Sequence, residues 1–349
     1  MTGGPSFGIG RIRWAWFVIG ALVLLLLPAV TSSSTPTLLL IWALFALSLG
    51  LLWGFAGLLS FGHAAYFGLG AYSYAIASMN VGESTGPLLL AIVLPAAVAA
   101  VIGAMMFYGR ISDVYMGVIT LVVTLILFKF MGATAGDAYR IGTARLGGFN
   151  GIPAFPVLNV PGDPSMQIYG TPFYYVVAVA LLLCYLLSRW VLASTFGRVL
   201  IGIRENEARV ELLGYSAPLY KTAIFSISAA MAALAGCLFA NWAEIVTPGV
   251  FSLGASAEVI VWTIVGGLGT LIGPMVGAIA LGSLKLLLGQ QTLIDNSLVL
   301  GAILVLVVLL LPRGLWPTLT RWRERQARAS ISRRQAGSTR RRRAAGGTE

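Results

Sequence analysis

Charge is what this chain has least of. Only 10% of its 349 residues are Asp, Glu, Lys or Arg, against about 25% in an ordinary soluble domain. Lysine is scarcer still. Lys129, Lys221 and Lys285 are the only three, and they follow Phe, Tyr and Leu. A phosphate-cradling P-loop needs Gly-Lys-Ser/Thr after a glycine-rich turn, so nucleotide binding of that kind is excluded. The two cysteines, Cys184 and Cys237, both lie inside apolar runs. They read as small packing residues and not as a disulfide framework. The single histidine, His63, has no charged residue between it and Arg13. Zinc or iron needs two or more side-chain ligands at suitable spacing, which one His without nearby carboxylates does not supply. An ion or proton relay needs a chain of ionisable groups within the apolar segments, and these hold His63, Glu258, Lys285 and little else. A membrane enzyme would need a nucleophile or metal cluster, and none is present.

What the chain has instead is apolar length. Hydrophobic residues make up 58%, and from Trp14 to Pro312 they fall into long runs separated by short polar punctuation. Ten segments approach the roughly 20 residues that cross a bilayer as helix. They are 14–30, 38–56, 61–79, 87–108, 114–130, 172–190, 221–242, 255–267, 270–288 and 297–312. A β-barrel would show short alternating segments instead. The expected fold class is all-α: a polytopic helical membrane protein of about ten transmembrane helices, some discontinuous. Its divisions are an N-terminus over 1–13, a transmembrane domain over 14–316 and a basic tail over 317–349. Arg11 and Arg13 before the first apolar run resemble a signal peptide, but no small-residue cleavage site follows Pro28, so the run reads as a retained span.

Basic residues orient the bundle. With both termini inside, the inner loops hold nineteen Lys or Arg and the outer loops only Arg140 and Arg145. Lys129 and Lys285 sit near span ends, where they can snorkel. Eleven arginines from Arg313 onward supply most of the net charge of +11. They read as a disordered tail on anionic lipid at the cytoplasmic face of a bacterial inner membrane, not as a nucleic-acid site.

Two loops are long. The outer one, 131–171, is rich in Gly and Pro. The inner one, 191–220, carries "STFGRVLIGIRENEARVELLGYSAPLYK", more chain than a turn between two spans requires. Val199, Ile203, Val210, Leu212 and Leu213 are expected on one side of a short helix pair, with Arg204 and Ala208 one turn apart. Gly214 is placed to stop the helix, with Pro218 beyond it. An amphipathic, mixed-charge element of this kind suits docking to a partner. The alternative is an interfacial helix on lipid, which its acidic residues oppose.

Candidate pathway residues cluster in two places. In "GLLSFGHAAYFGLGAY", Ser60, His63 and Tyr66 are spaced three apart and are expected on one helix face. Gly57, Gly62, Gly68 and Gly70 allow close backbone approach there. The group is either an internal hydrogen-bonded packing cluster or part of a pathway lining. Glu258, near the outer end of the eighth segment, lies either at an aqueous mouth or paired inside the bundle. Gly266, Gly267 and Gly269 with Pro274 mark either a broken helix or a tight hairpin. Gly57-Leu58-Leu59-Ser60 and Gly267-Leu268-Gly269-Thr270 look alike, which is too little to establish a duplication.

Gly197, Arg198, Arg204, Glu205, Asn206, Glu207, Ala208 and Gly214 resemble the coupling-helix signature of ATP-binding-cassette importer permeases. With "GLLSFGHAAYFGLGAY", "VWTIVGGLGTLIGPMVGAIAL", "LPRGLW" and, more loosely, "GGFNGIP", the chain is similar to the high-affinity branched-chain amino acid permease family of the LivM type. These stretches run from Gly57 to Trp316, about three quarters of the chain. The resemblance implies a transport subunit, not an enzyme, that binds no cofactor itself. It implies pairing with a homologous permease, two cytoplasmic ATPases that hold the ATP, and an extracytoplasmic substrate-binding protein. Leucine, isoleucine and valine are the implied cargo, with urea or short amides the alternative. The arginine tail departs from the family core. A stand-alone secondary transporter would carry more polar groups within its spans.

Overall fold

The computed structural model describes residues 33–288 and residue 301. The expected spans at 14–30 and 297–312, the N-terminal 1–13, the "LPRGLW" stretch and the tail from 317 lie outside these residues. Each of the other eight expected segments corresponds to a helix.

The bundle is built on α1 (Ser34–Ala56), which carries no charge and is buried on nearly every side. A helix apolar all round has no face to present to water, so it takes the centre. Around it pack α5 (Gly170–Ala193), α8 (Ala217–Ala243), α9 (Leu253–Gly266) and α10 (Ile272–Leu288). The second layer is α2 (Ala64–Val81), α3 (Thr85–Tyr108) and α4 (Asp113–Ala133). Five helices, α1, α3, α4, α5 and α8, are long and apolar enough to cross a bilayer. The exposed side chains of α3 and α4 are Leu89, Leu90, Val93, Val122, Ile126 and their like. Such a surface is stable only against lipid or another apolar chain. The protein is an all-α, multi-pass membrane protein.

α2 and α8 meet backbone to backbone. A Cβ on Gly70 of α2 would lie 2.6 Å from Ala233 Cα of α8, and one on Gly236 of α8 would lie 2.6 Å from the Phe67 carbonyl carbon of α2. Small residues at both ends of the crossing are what allow this approach.

At one end of the bundle the chain between α5 and α8 forms two short helices, α6 (Thr195–Glu205) and α7 (Glu207–Leu212). At the other end, the segment between α4 and α5 folds back onto the helix ends in short strands. There β1 (Arg140–Ile141) pairs β2 (Ala144–Arg145), and β4 (Asn159–Val160) pairs β5 (Asp163–Gln167). β3 (Ile152–Pro153) pairs β6 (Ile245–Val246), just past α8. Side chains clamp this cap. Asn241 accepts from Leu158 N at 2.8 Å, Asn80 accepts from Thr143 N at 2.8 Å, and Ser84 N donates to Asn159 at 2.9 Å.

α9 and α10 form a tight hairpin, not one interrupted helix. Gly266 closes α9 and a short turn through Gly267 and Gly269, both at positive φ, leads to α10. Gly266 lies directly against the Gly273 backbone. The turn tucks beside the last turns of α1, with Gly269 N next to Gly54 and Pro274 next to Gly50.

Candidate functional site

The reversal between α1 and α2 differs from its expected form. α2 begins only at Ala64, so Ser60 and His63 are not on the helix that carries Tyr66. Gly57 ends α1 at φ 77, and the chain stays irregular through His63. This irregular backbone lies inside the bundle: His63 Nε2 reaches Ser48 Oγ at 2.8 Å, about two turns before α1 ends. Buried backbone of this kind must find partners within the protein. Thr124 Oγ1 donates to Gly62 O at 2.9 Å, Gly62 N donates to Thr120 Oγ1 at 3.3 Å, and Ala64 N donates to Ser256 Oγ at 3.4 Å. Gly62 is packed so closely on Thr120 that no side chain fits there. The Ser48 hydroxyl donates to Phe45 O at 2.6 Å. Its one proton is thereby taken, so His63 Nε2 is the donor to Ser48 and Nδ1 carries the lone pair. The His63 ring stacks on Phe45, centroids 5.6 Å apart, and Tyr66 packs edge-on to Phe225. Ser48, which sequence reasoning missed, ties His63 to the central helix.

The α6–α7 element is built for projection. α5 turns back on itself at Ser194, whose hydroxyl accepts from Gly197 N at 3.5 Å. A Cβ on Gly197 would lie 2.5 Å from Leu192 Cα, so only glycine lets α6 fold against the end of α5. Arg198 donates to Thr195 Oγ1 at 3.0 Å, and Arg204 donates to the carbonyl of Gly54 in the last turn of α1. The Arg204 stem also packs on Gly57. Asn206 is extended and caps both helices, accepting from Arg209 N at 2.9 Å. The break there separates Arg204 from Ala208, which do not share a helix as expected. Glu207 is paired to Lys221 of α8 at 2.6 Å, with Lys221 only 12% exposed. Glu205, Ala208 and Arg209 face outward.

The five apolar residues expected on one side divide in two. Val199, Ile203 and Val210 are buried with Ala217, and Phe196 stacks on Tyr220 at 5.1 Å. Leu212 and Leu213 instead stand 89% and 72% exposed at the tip. The division follows the helix turn: Leu212 lies two residues past the buried Val210, on the opposite face of α7, and Leu213 comes after the last helical residue, just before Gly214 at φ 88. Gly214 N donates to Glu211 O at 2.9 Å.

Glu258 is paired inside the bundle. Lys285 of α10 meets it at 2.5 Å and also lies 5.5 Å from the Trp42 ring centroid. Lys285 therefore bridges within the protein where snorkelling was expected. The pairing was accessible in principle, because a hairpin turn at Gly267–Gly269 makes α9 and α10 antiparallel neighbours. Glu258 and Lys285 border a cavity of about 310 Å³ among α1, α2, α8, α9 and α10, with Trp42, Phe45, Phe67, Phe239 and Trp262 in its lining. Its lining includes Thr247, Gly249, Val250 and Ser252, which follow β6 of the strand cap. Gly266, Gly267 and Gly269 lie at the opposite end and do not line it. Among the described residues no group of three or more His, Cys, Asp or Glu is placed to hold a metal ion.

An apolar multi-pass bundle with an internal cavity and a projecting helix pair is the architecture of a membrane transport permease. The comparisons with known proteins agree. A family model described as "Branched-chain amino acid transport system / permease component" matches residues 32–309, and the chain belongs to that family. The high-affinity branched-chain amino acid transport system permease protein LivM of Escherichia coli K12 is 28% identical over 343 residues, 90% of this chain and 77% of LivM. The companion-named permease protein LivH of the same strain is 26% identical over 294 residues, 78% of this chain and 90% of LivH. A probable LivM of Methanocaldococcus jannaschii is 26% identical over 239 residues, 58% of this chain and 66% of that protein. No solved structure matches the chain.

Proposed function

We propose that this chain is the permease subunit of an ATP-driven importer of branched-chain amino acids. It forms the translocation pathway with a second, homologous permease; similarity to both LivM and LivH supports such a pair. Two ATPases dock on α6–α7 from the cytoplasm, and a substrate-binding protein delivers cargo at the strand-capped end. Both termini lie in the cytoplasm of a bacterial cell, and the chain itself binds no nucleotide.

The observation that carries this reading is the exposed Leu212–Leu213 tip on a base anchored to the bundle. Two large apolar side chains at the end of a rigid short helix are disfavoured in water and suited to a partner's groove. Glu205 and Glu211 beside them disfavour an anionic lipid surface. The base can transmit force, because Arg204 grips Gly54 and Gly57. Those residues end the helix that also carries Trp42 and Phe45 of the cavity. A push on the tip reaches α1 through the Asn206 cap that joins α7 to α6 and through Arg204.

The test is uptake by cells lacking this chain, with leucine and urea supplied separately. Loss of leucine uptake alone supports the reading. Loss of urea uptake alone assigns the cargo to short amides, and loss of neither contradicts the reading. In a second measurement, Glu205→Lys is expected to insert normally and to lose ATPase co-purification.

A further inference from the structure

We infer that the cavity bordered by Glu258 and Lys285 is a subsite for the zwitterionic head of an α-amino acid. Lys285 takes the carboxylate and Glu258 the ammonium. The inference rests on the amino-acid import proposed above and adds where, and by which groups, the cargo is held within the permease.

Size comes first. About 310 Å³ is at the low end of the roughly 300–1,000 Å³ range of small-molecule sites, so the occupant is a small solute. The depth is also right. Glu258 lies between one and two turns into α9, and Lys285 lies thirteen residues past the start of α10, so both sit well away from the hairpin turn at Gly267–Gly269. A solute released at the strand-capped end would meet them before the reversal at His63.

The charges then select the class. The site holds one cation and one anion, and the two are joined to each other. A lone anion or cation entering here would capture one partner and strand the other in a poorly solvated place. A neutral amide such as urea offers no charge to offset separating them. An α-amino acid carries both signs on adjacent atoms, so inserting it between the two groups replaces one ion pair by two. The side chains of Lys285 and Glu258 remain 30% and 27% exposed. They are accessible to a ligand from the cavity and are not sealed by packing. Trp42 holds Lys285 from the other side by cation–π contact, which keeps the ammonium compensated while Glu258 engages the ligand. Phe45, Phe67 and Trp262 complete the wall, an apolar surface for an aliphatic side chain. Because Glu258 is on α9 and Lys285 on α10, the order of the two charges gives the site a handedness: exchanging them would reverse the order in which a ligand's ammonium and carboxylate are met.

That handedness supplies the test. The complete transporter, with its second permease, ATPases and binding protein, is reconstituted in vesicles, and ATP-driven L-leucine uptake is measured. Three forms are compared: unaltered, neutral (Glu258→Gln with Lys285→Met) and exchanged (Glu258→Lys with Lys285→Glu). Both variants are expected to assemble with the ATPases and to lose at least tenfold in uptake, with a raised KM. Exchange that restores uptake to within twofold overturns the inference, because the pair would then only tie α9 to α10. Failure of the neutral form to assemble overturns it for the same reason. If the unaltered complex moves leucine and both variants match it, the subsite alone is wrong. If the unaltered complex moves no leucine, the import reading fails and takes the subsite with it.

Discussion

Replacing Leu212 and Leu213 together by serine tests the docking tip most sharply. The two side chains are 89% and 72% exposed, so the fold loses almost nothing. Surface changes of this kind usually stay within about 0.5 kcal/mol. In a partner's groove the same side chains would be buried. Full burial of a leucine stabilises by about 1.5–3 kcal/mol, so the exposed fractions offer roughly 2.5–5 kcal/mol at a fully closed interface. Ordering and polar desolvation take back part of this. A loss of about 2–4 kcal/mol, or roughly 30- to 1,000-fold weaker docking, is the expected result. The assay is ATPase co-purification with the detergent-solubilised double variant, alongside its thermal stability. Normal stability with ATPases lost is expected. Normal stability with ATPases retained, and uptake unchanged, would refute the reasoning.

Four further outcomes are expected. Arg204→Ala removes the contact to the Gly54 carbonyl and should leave ATPases bound and hydrolysing while leucine uptake falls at least tenfold; a proportional fall in both would show that the contact does not transmit work. Ser48→Ala leaves the buried His63 Nε2 donor without its partner and should cost about 1–3 kcal/mol, read as a lower melting temperature in detergent. Gly70→Val forces a Cβ to 2.6 Å from Ala233 Cα, where backbone cannot yield, and should abolish folded protein. Gly86→Ala, which meets nothing within 4 Å, should match the unaltered chain in yield.

Some of this molecule is legible in the sequence because the solvent is lipid. A run such as Thr85–Tyr108 or Gly170–Ala193 has few other places to go, so segment and helix coincide. Gly214 was readable as a stop, since the left-handed turn after a helix favours a residue without Cβ; Gly57 and Gly82 end their helices in the same way and were not read so. Local periodicity did not settle what long-range packing decides. It put Ser60, His63 and Tyr66 on one helix because the spacing allows it. Thr120 and Thr124, some sixty residues away, hold the backbone of Gly62 in an irregular reversal instead. It grouped Leu212 and Leu213 with Val210, although two residues along one helix put Leu212 on the opposite face and Leu213 lies past the helix end. The β3–β6 pairing depends on residues more than ninety positions apart and has no local signal. The Glu258–Lys285 pair was half legible: each residue stood out as a charge in an apolar run, and their contact needed the hairpin.

The central claim is that work enters through the tip of α6–α7 from the cytoplasmic side. Cys184 and Cys237 are buried, so a cysteine introduced as Leu213→Cys would be the accessible thiol among the described residues. Its reaction with a membrane-impermeant maleimide is the most direct measurement. The expected result is labelling from the cytoplasmic side only, suppressed when the ATPases are bound. Labelling from the exterior, or labelling that bound ATPases do not suppress, would contradict it.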